Sequence, residues 1–163
     1  MPSNAVAPFV ASSLPAVSPD GKRVIFTAGT GPGRQLYVRD LDLLATKPLP
    51  GTEGADDPFW SPDNRSIGFF ARGKLKRVEL AGGPAVSLCD AVQGRGGTWS
   101  RDGVIVFAPD TSGPLNRVQA TGGSASPVTT LDTSRGEVSH RFPWFLPDGR
   151  HFIYTGRSTD STK

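Results

Sequence analysis

Four aspartates recur in nearly the same setting: Ser18-Pro19-Asp20-Gly21, Ser61-Pro62-Asp63-Asn64, Ser100-Arg101-Asp102-Gly103 and Leu146-Pro147-Asp148-Gly149. Carboxylates in that number could ligate a divalent cation or work as general acids and bases. Their spacing argues for another role. They fall 43, 39 and 46 residues apart, one per repeat. A residue supplied once per repeat serves the repeat. Proline presets φ at the second turn position, aspartate bonds back to the backbone, and glycine accepts φ > 0. Each carboxylate is therefore expected to fix its own turn, and no catalytic or metal role follows.

The remaining chemistry-bearing residues are few. Glu53, Asp56 and Asp57 form an acidic cluster without the ligand order of a calcium loop, and a solvated loop is expected there. His140 and His151 lack partners at zinc spacing, and no Gly-x-Ser-x-Gly elbow accompanies them. Packing or surface hydrogen bonding suffices for both. Gly29-Thr30-Gly31-Pro32-Gly33-Arg34 is glycine-rich, but a strand follows it and Pro32 has no N–H. A hairpin loop, not a phosphate cradle, is expected. Arg72, Lys74, Lys76 and Arg77 are the densest basic patch; strand alternation divides them between two faces, and no aromatic platform interleaves. No catalytic, cofactor-binding or metal-ligating residue is assigned, and no ligand-binding residue can be singled out.

The elements that position these residues are strands. The 163 residues carry 20 Gly and 15 Pro with 36% hydrophobic residues, which suits short strands and tight turns and interrupts nearly every candidate helical window. Net charge is +3 from 18 basic and 15 acidic residues mixed along the chain, with no concentrated basic face for a nucleic acid. Cys89 is the single cysteine, so an internal disulfide and a multi-cysteine zinc site are excluded. No run approaches the roughly 20 apolar residues of a membrane span. Residues 1–17 lack a basic n-region, so no signal peptide is expected in this chain.

After each turn comes an apolar strand: Val24–Ala28, Ile67–Ala71, Ile105–Phe107 and Phe152–Gly156. Val24, Ile67, Ile105 and Phe152 form one column, and Phe26, Phe69, Phe107 and Tyr154 another two residues on. Leu36, Leu75 and Leu115 form a third, and Leu41, Leu80 and Ala120 a fourth. Residues two apart share one face of a strand. The third copy is one residue shorter after its aspartate, so its hairpin is tighter. Trp60 and Trp99 share a column and Trp144 is shifted from it by one residue; all three are expected on or beside first strands, wedged between repeats. Four strands recurring about every 40 residues define an all-β fold, a β-propeller of four-stranded antiparallel blades.

About three and a half blades are present, as an open part of a larger propeller. Residues 1–14 lead in, with a strand predicted near Ala5–Val10. Blade 1 spans 15–57, blade 2 spans 58–96, blade 3 spans 97–142, and 143–163 supply the first half of blade 4. The strand near Ala5–Val10 could instead complete blade 4 and close a four-bladed ring; an open segment is favoured. Exposed terminal blade faces then predict self-association of the isolated chain.

Several whole phrases carry a resemblance. They include Pro48-Leu49-Pro50-Gly51-Thr52-Glu53-Gly54, Pro58-Phe59-Trp60-Ser61-Pro62-Asp63 and Gly94-Arg95-Gly96-Gly97-Thr98-Trp99. Asp102-Gly103-Val104-Ile105-Val106-Phe107-Ala108-Pro109 and Phe145-Leu146-Pro147-Asp148-Gly149-Arg150-His151-Phe152 are two more. Over residues 15–157 the chain resembles the WD-like (PD-type) repeats of TolB-like β-propellers. It is most similar to the propeller that follows the kinase domain in bacterial, acidobacterial-type serine/threonine protein kinases. The resemblance implies a non-catalytic sensory, scaffold or protein-interaction module on the periplasmic side of the membrane. Its partner would be a protein, a peptide or a small ligand at one end of the propeller channel, with no nucleic acid. The kinase glycine-rich loop, His-Arg-Asp loop and Asp-Phe-Gly are absent, so kinase activity does not carry over to this chain. The alternatives are the regulatory propeller of a peptidase and a TolB-like periplasmic translocation protein.

Overall fold

The computed structural model describes residues 14–43 and 45–159; the strand expected near Ala5–Val10 lies outside them. Three four-stranded antiparallel sheets and one two-stranded sheet follow in chain order. The first contains β1 (Ala16–Val17), β2 (Arg23–Ala28), β3 (Gln35–Asp40) and β4 (Thr46–Pro48). The second contains β5 (Asp56–Trp60), β6 (Ser66–Ala71), β7 (Lys74–Glu79) and β8 (Val86–Asp90). The third contains β9 (Gly97–Trp99), β10 (Val104–Phe107), β11 (Asn116–Gln119) and β12 (Ser126–Pro127). The fourth pairs β13 (Glu137–Phe145) with β14 (Phe152–Ser158). Every sheet runs in sequence order as a meander, and the first strands β1, β5, β9 and β13 neighbour one another successively. These are the blades of a propeller.

The repeated turns take the form their residues dictate. In the second turn, Ser61 Oγ donates to Asp63 Oδ1 at 2.6 Å and accepts the Ser66 amide at 2.8 Å, while Asp63 accepts the Arg65 amide at 3.0 Å. Asp20 accepts the Lys22 amide at 3.1 Å, and Asp148 those of Arg150 and His151 at 2.9 and 3.0 Å. The tighter third hairpin differs: Ser100 Oγ accepts from Val104, and Asp102 makes no such bond among the described residues. The fourth turn position is left-handed in every copy, with φ of 70° at Gly21, 62° at Asn64, 76° at Gly103 and 68° at Gly149. Asparagine tolerates that region, and here it adds a link: Asn64 Oδ1 accepts the Asp20 amide at 3.1 Å, tying two neighbouring turns together.

Each interface joins the rear face of one sheet to the front face of the next. Ile25, Leu36 and Val38 pack on Trp60, Ile67, Phe69 and Val78. Phe59, Phe70, Leu75 and Leu88 pack on Ile105, Phe107 and Val118. Val106 and Leu115 pack on Phe145 and Phe152. The sequence columns thus separate by face. The one containing Leu36, Leu75 and Leu115 is rear and fully buried. The one containing Val24, Ile67, Ile105 and Phe152 is front. No described blade covers the front of the first sheet, so Val24 and Phe26 remain half-buried and Leu41 is 52% exposed.

On the rear faces, cross-strand partners divide one volume between them. Small Ala16 stands opposite Ile25, and Thr98 opposite Val106. The second sheet reverses the order, with Phe59 opposite Gly68. Its ring also reaches Gly97 of the next sheet; a Cβ at residue 68 would meet the ring at 2.3 Å, and one at residue 97 at 2.5 Å.

Trp144 corrects an expectation. Trp60 and Trp99 sit opposite Ile67 and Ile105 on the front face, but Phe145 holds that position in the fourth sheet, opposite Phe152. Trp144 points to the rear beside Ile153 and is 62% exposed instead of wedged between blades. Trp144 stands one residue before the position that Trp60 and Trp99 hold relative to their turns, so strand alternation turns it to the opposite face. β13 begins at Glu137, earlier than the predicted Pro143, and its register shifts between Arg141 and Trp144 around Phe142, whose φ is +50°. Such a bulge re-aims side chains along the strand.

Candidate binding channel

The four first strands line an open cavity of about 730 Å³. One end is formed where these strands begin, by Asp57, Gly96 and Phe142; the other is formed by the turns, with Pro19, Pro62, Arg101 and Pro147. Between them the wall carries Trp60, Trp99 and Trp144. Trp60 is anchored, its indole N–H donating to the Ala16 carbonyl at 2.9 Å with the Arg23 guanidinium 5.7 Å from its ring centre. Trp144 has no such anchor and stands open. An aromatic and proline wall suits apolar or peptide surface, as rigid rings contribute large contact area.

The acidic cluster is not the solvated loop expected. Glu53 is exposed, its carboxylate accepting the Gly51 amide at 3.3 Å. Asp56 pairs with Arg34, and its Oδ1 is buried without a hydrogen bond. Burial raises the Asp56 pKa against the opposing pull of Arg34. Asp57 has φ of +44° and lines the end of the channel. Burial, then repulsion from Asp56, raises its pKa to about 6. The glycine-rich loop before Arg34 is equally specific: it folds as a short 3-10 turn over Gly31–Gly33, and a Cβ at Gly29 would meet the Gly33 carbonyl at 2.6 Å.

His140 is fully buried. Its Nδ1 lies 2.8 Å from Thr129 Oγ1, its Nε2 lies 3.0 Å from Glu137 Oε2, and its ring packs on Tyr154. Hydroxyl, imidazole and carboxylate in line resemble a nucleophilic triad. Here Thr129 Oγ1 already accepts the Leu115 amide at 2.9 Å, and the imidazole has no exposed edge for a substrate. The arrangement fastens β13 to the preceding sheet. His151 is exposed and bonds its own turn's Asp148 at 2.6 Å. Burial lifts the Cys89 thiol to about 11, keeping it protonated at neutral pH. In the basic patch, Lys74 pairs with Asp90, and Arg77 lies 3.7 Å from Glu79. Among the described residues no group of three metal-ligating side chains converges, and no helix is long and apolar enough to cross a membrane.

Neither a protein-family model nor a curated relative matches the sequence. Solved structures do. TolB from Acinetobacter baumannii superposes with a TM-score of 0.73 at 18% identity, over 90% of this chain and 38% of that one. A putative TolB from Agrobacterium tumefaciens gives 0.70 at 20% identity, over 93% and 61%. Virginiamycin B lyase from Staphylococcus aureus gives 0.63 at 13% identity, over 89% and 51%. The fold is therefore a β-propeller, of which this chain spans a part; it covers less than two thirds of each of these structures. At such identities the likeness carries the fold alone.

Proposed function

We propose that the chain is a non-catalytic binding module that takes a protein or peptide partner in the channel. The observation that carries this reading is the open aromatic and proline wall around Trp144. The burial of the Thr129–His140–Glu137 arrangement supports the absence of hydrolysis. A peptide array rich in proline and aromatic residues tests it. Bound peptides quench tryptophan fluorescence and are lost from Trp144→Ala, while Arg117→Ala retains them. Equal binding by Trp144→Ala overturns the reading.

The phrases around Pro48–Gly54, Gly94–Trp99 and Phe145–Phe152 support placing this module after a bacterial serine/threonine kinase domain, as its periplasmic sensory part. A TolB-like translocation role is the second reading, favoured by the fold shared with two TolB proteins. The flanking coding sequence separates them. Kinase motifs upstream fit the first, and a signal peptide with a small α/β domain upstream fits the second. A Gly-x-Ser-x-Gly motif downstream would replace both with a peptidase.

A further inference from the structure

Beside Gly96 and Phe142, which mark one end of the channel, three separate segments each bring an arginine. Arg141 lies on β13 and Arg157 on β14. Because Ser139 pairs with Arg157 and Arg141 with Thr155, the two arginines are diagonal neighbours on one face of the sheet. Diagonal positions lie within reach of long side chains. Arg95 joins them from the loop before β9, where its carbonyl accepts the Phe142 amide at 3.0 Å. Burial and the charges of Arg157 and Arg95 lower the Arg141 pKa, so these like charges act on one another.

The cluster is held in place. Arg141 donates Nε to Ser139 Oγ at 3.2 Å and Nη2 to the Thr111 carbonyl. A guanidinium has five N–H donors, which leaves three unspent. No carboxylate among the described residues forms an ion pair with Arg95, Arg141 or Arg157. The nearest acids serve Arg34 as well: Asp56 is its ion-pair partner, and Asp57 feels Arg34 and Arg95 together. Asp56 and Asp57 thus answer Arg34 and Arg95, and no ion pair among the described residues answers Arg141 or Arg157.

Like charges fixed together are costly unless an anion lies between them, and the guanidinium fork matches carboxylate and phosphate oxygens two at a time. We infer that Arg95, Arg141 and Arg157 form an oxyanion site at this end of the channel, receiving a carboxylate or phosphate group of a peptide partner. The body of that peptide would run past Phe142 and Trp144, and only this part of the inference rests on the channel reading.

The test is a titration of the full chain with inorganic phosphate at constant ionic strength, following the arginine Nε–Hε signals by NMR. Saturable shifts are expected at Arg95, Arg141 and Arg157 but not at Arg101 or Arg117. The apparent Kd should weaken about tenfold in Arg157→Gln, since a charge-assisted hydrogen bond contributes on the order of that factor or more. The Arg157 side chain is exposed and makes no hydrogen bond or ion pair among the described residues, so this variant keeps its fold. Glutarate in place of phosphate shows which oxyanion is preferred, and saturation by either one supports the site. Linear shifts, or equal shifts at Arg101 and Arg117, overturn it. Phosphate binding that persists in Trp144→Ala while array peptides fail to bind the wild type leaves the oxyanion site standing and removes the channel reading.

Discussion

The second strands of the second and fourth sheets descend from the same pattern and meet opposite fates. β6 is buried along its whole length, from Ser66 to Ala71. β14 is exposed along most of its length, with Ile153 at 58%. Both present an apolar residue at the first column and an aromatic ring two residues later: Ile67 and Phe69 in one, Phe152 and Tyr154 in the other. Covering makes the difference. β6 is flanked by β5 and β7 and by sheets at front and rear, whereas β14 has β13 on one side and no described sheet behind it. Burial in this fold belongs to the position within the stack more than to the residue.

Truncation at matched positions is expected to separate the two strands most widely. Phe69→Ala is expected to cost about 3–5 kcal/mol, the range for an aromatic ring lost from a core. Tyr154→Ala should cost less, about 1–2 kcal/mol, because the ring is 43% exposed and loses only its contacts with His140 and Phe152. Denaturant unfolding measures both, and equal losses would refute the argument.

Overpacking comes next. Gly68→Ala should destabilise by about 1–3 kcal/mol, because the Phe59 ring occupies the space of the new methyl group. The double variant with Phe59→Leu should recover part of that loss in a double-mutant cycle. Additive losses would show that the ring is not the obstacle.

A carboxylate in each sheet extends the contrast to pH. Burial raises Asp57 to about 6, while the Asp132 amide and then His140 hold Glu137 below its ordinary value. A carboxyl with a raised folded pKa binds its proton more tightly when folded, so stability falls as pH rises from 3.8 to about 6 and stays lower above that. Asp57→Asn should therefore stabilise by about 1–2 kcal/mol at neutral pH, after allowing for solvent screening of a half-buried group. Near pH 4 the gain should vanish, and asparagine tolerates the left-handed backbone. Glu137→Gln should have the opposite sign, losing stability above its ordinary pKa. Thermal melts across pH read both, and parallel curves would erase the distinction.

The smallest effect concerns the turns. Asn64→Gly keeps the positive φ and removes the bridge to the Asp20 amide, so only the link between turns is lost. About 0.5–1 kcal/mol is expected for a partly exposed hydrogen bond. Faster amide exchange at Asp20 would locate the change.

Much of the fold was legible because local residues determine it. Ser-Pro-Asp-Gly dictates the turn, and the columns through Ile67, Phe69 and Leu75 follow from strand alternation. The channel was less legible, since which strand lies innermost depends on how whole sheets stack. Trp144 was misplaced although its one-residue offset from the Trp60 and Trp99 column was legible, because alternation turns such an offset to the opposite face. Nothing in His140-Arg141-Phe142-Pro143 signals a left-handed phenylalanine, and the arginines escaped because Arg95, Arg141 and Arg157 are distant in sequence and become neighbours only through sheet pairing and the Arg95–Phe142 backbone contact. Asp57 resembled any loop acid until its burial was known.

The pair Phe59 and Gly68 has a further consequence, for the order in which such a chain can change over generations. In neighbouring blades the larger partner is Ile25 or Val106, on the second strand; here it is on the first. Moving between the two arrangements takes two substitutions, and one order passes through a collision while the other passes through a void. Shrinking the ring first leaves a hole that neighbours can partly fill, whereas adding a side chain at residue 68 first meets the ring at 2.3 Å. A lineage crossing between these solutions must lose the phenylalanine before it gains the side chain. In either direction the larger side chain must go before its opposite number grows, so the order of the two substitutions is constrained while their direction is not.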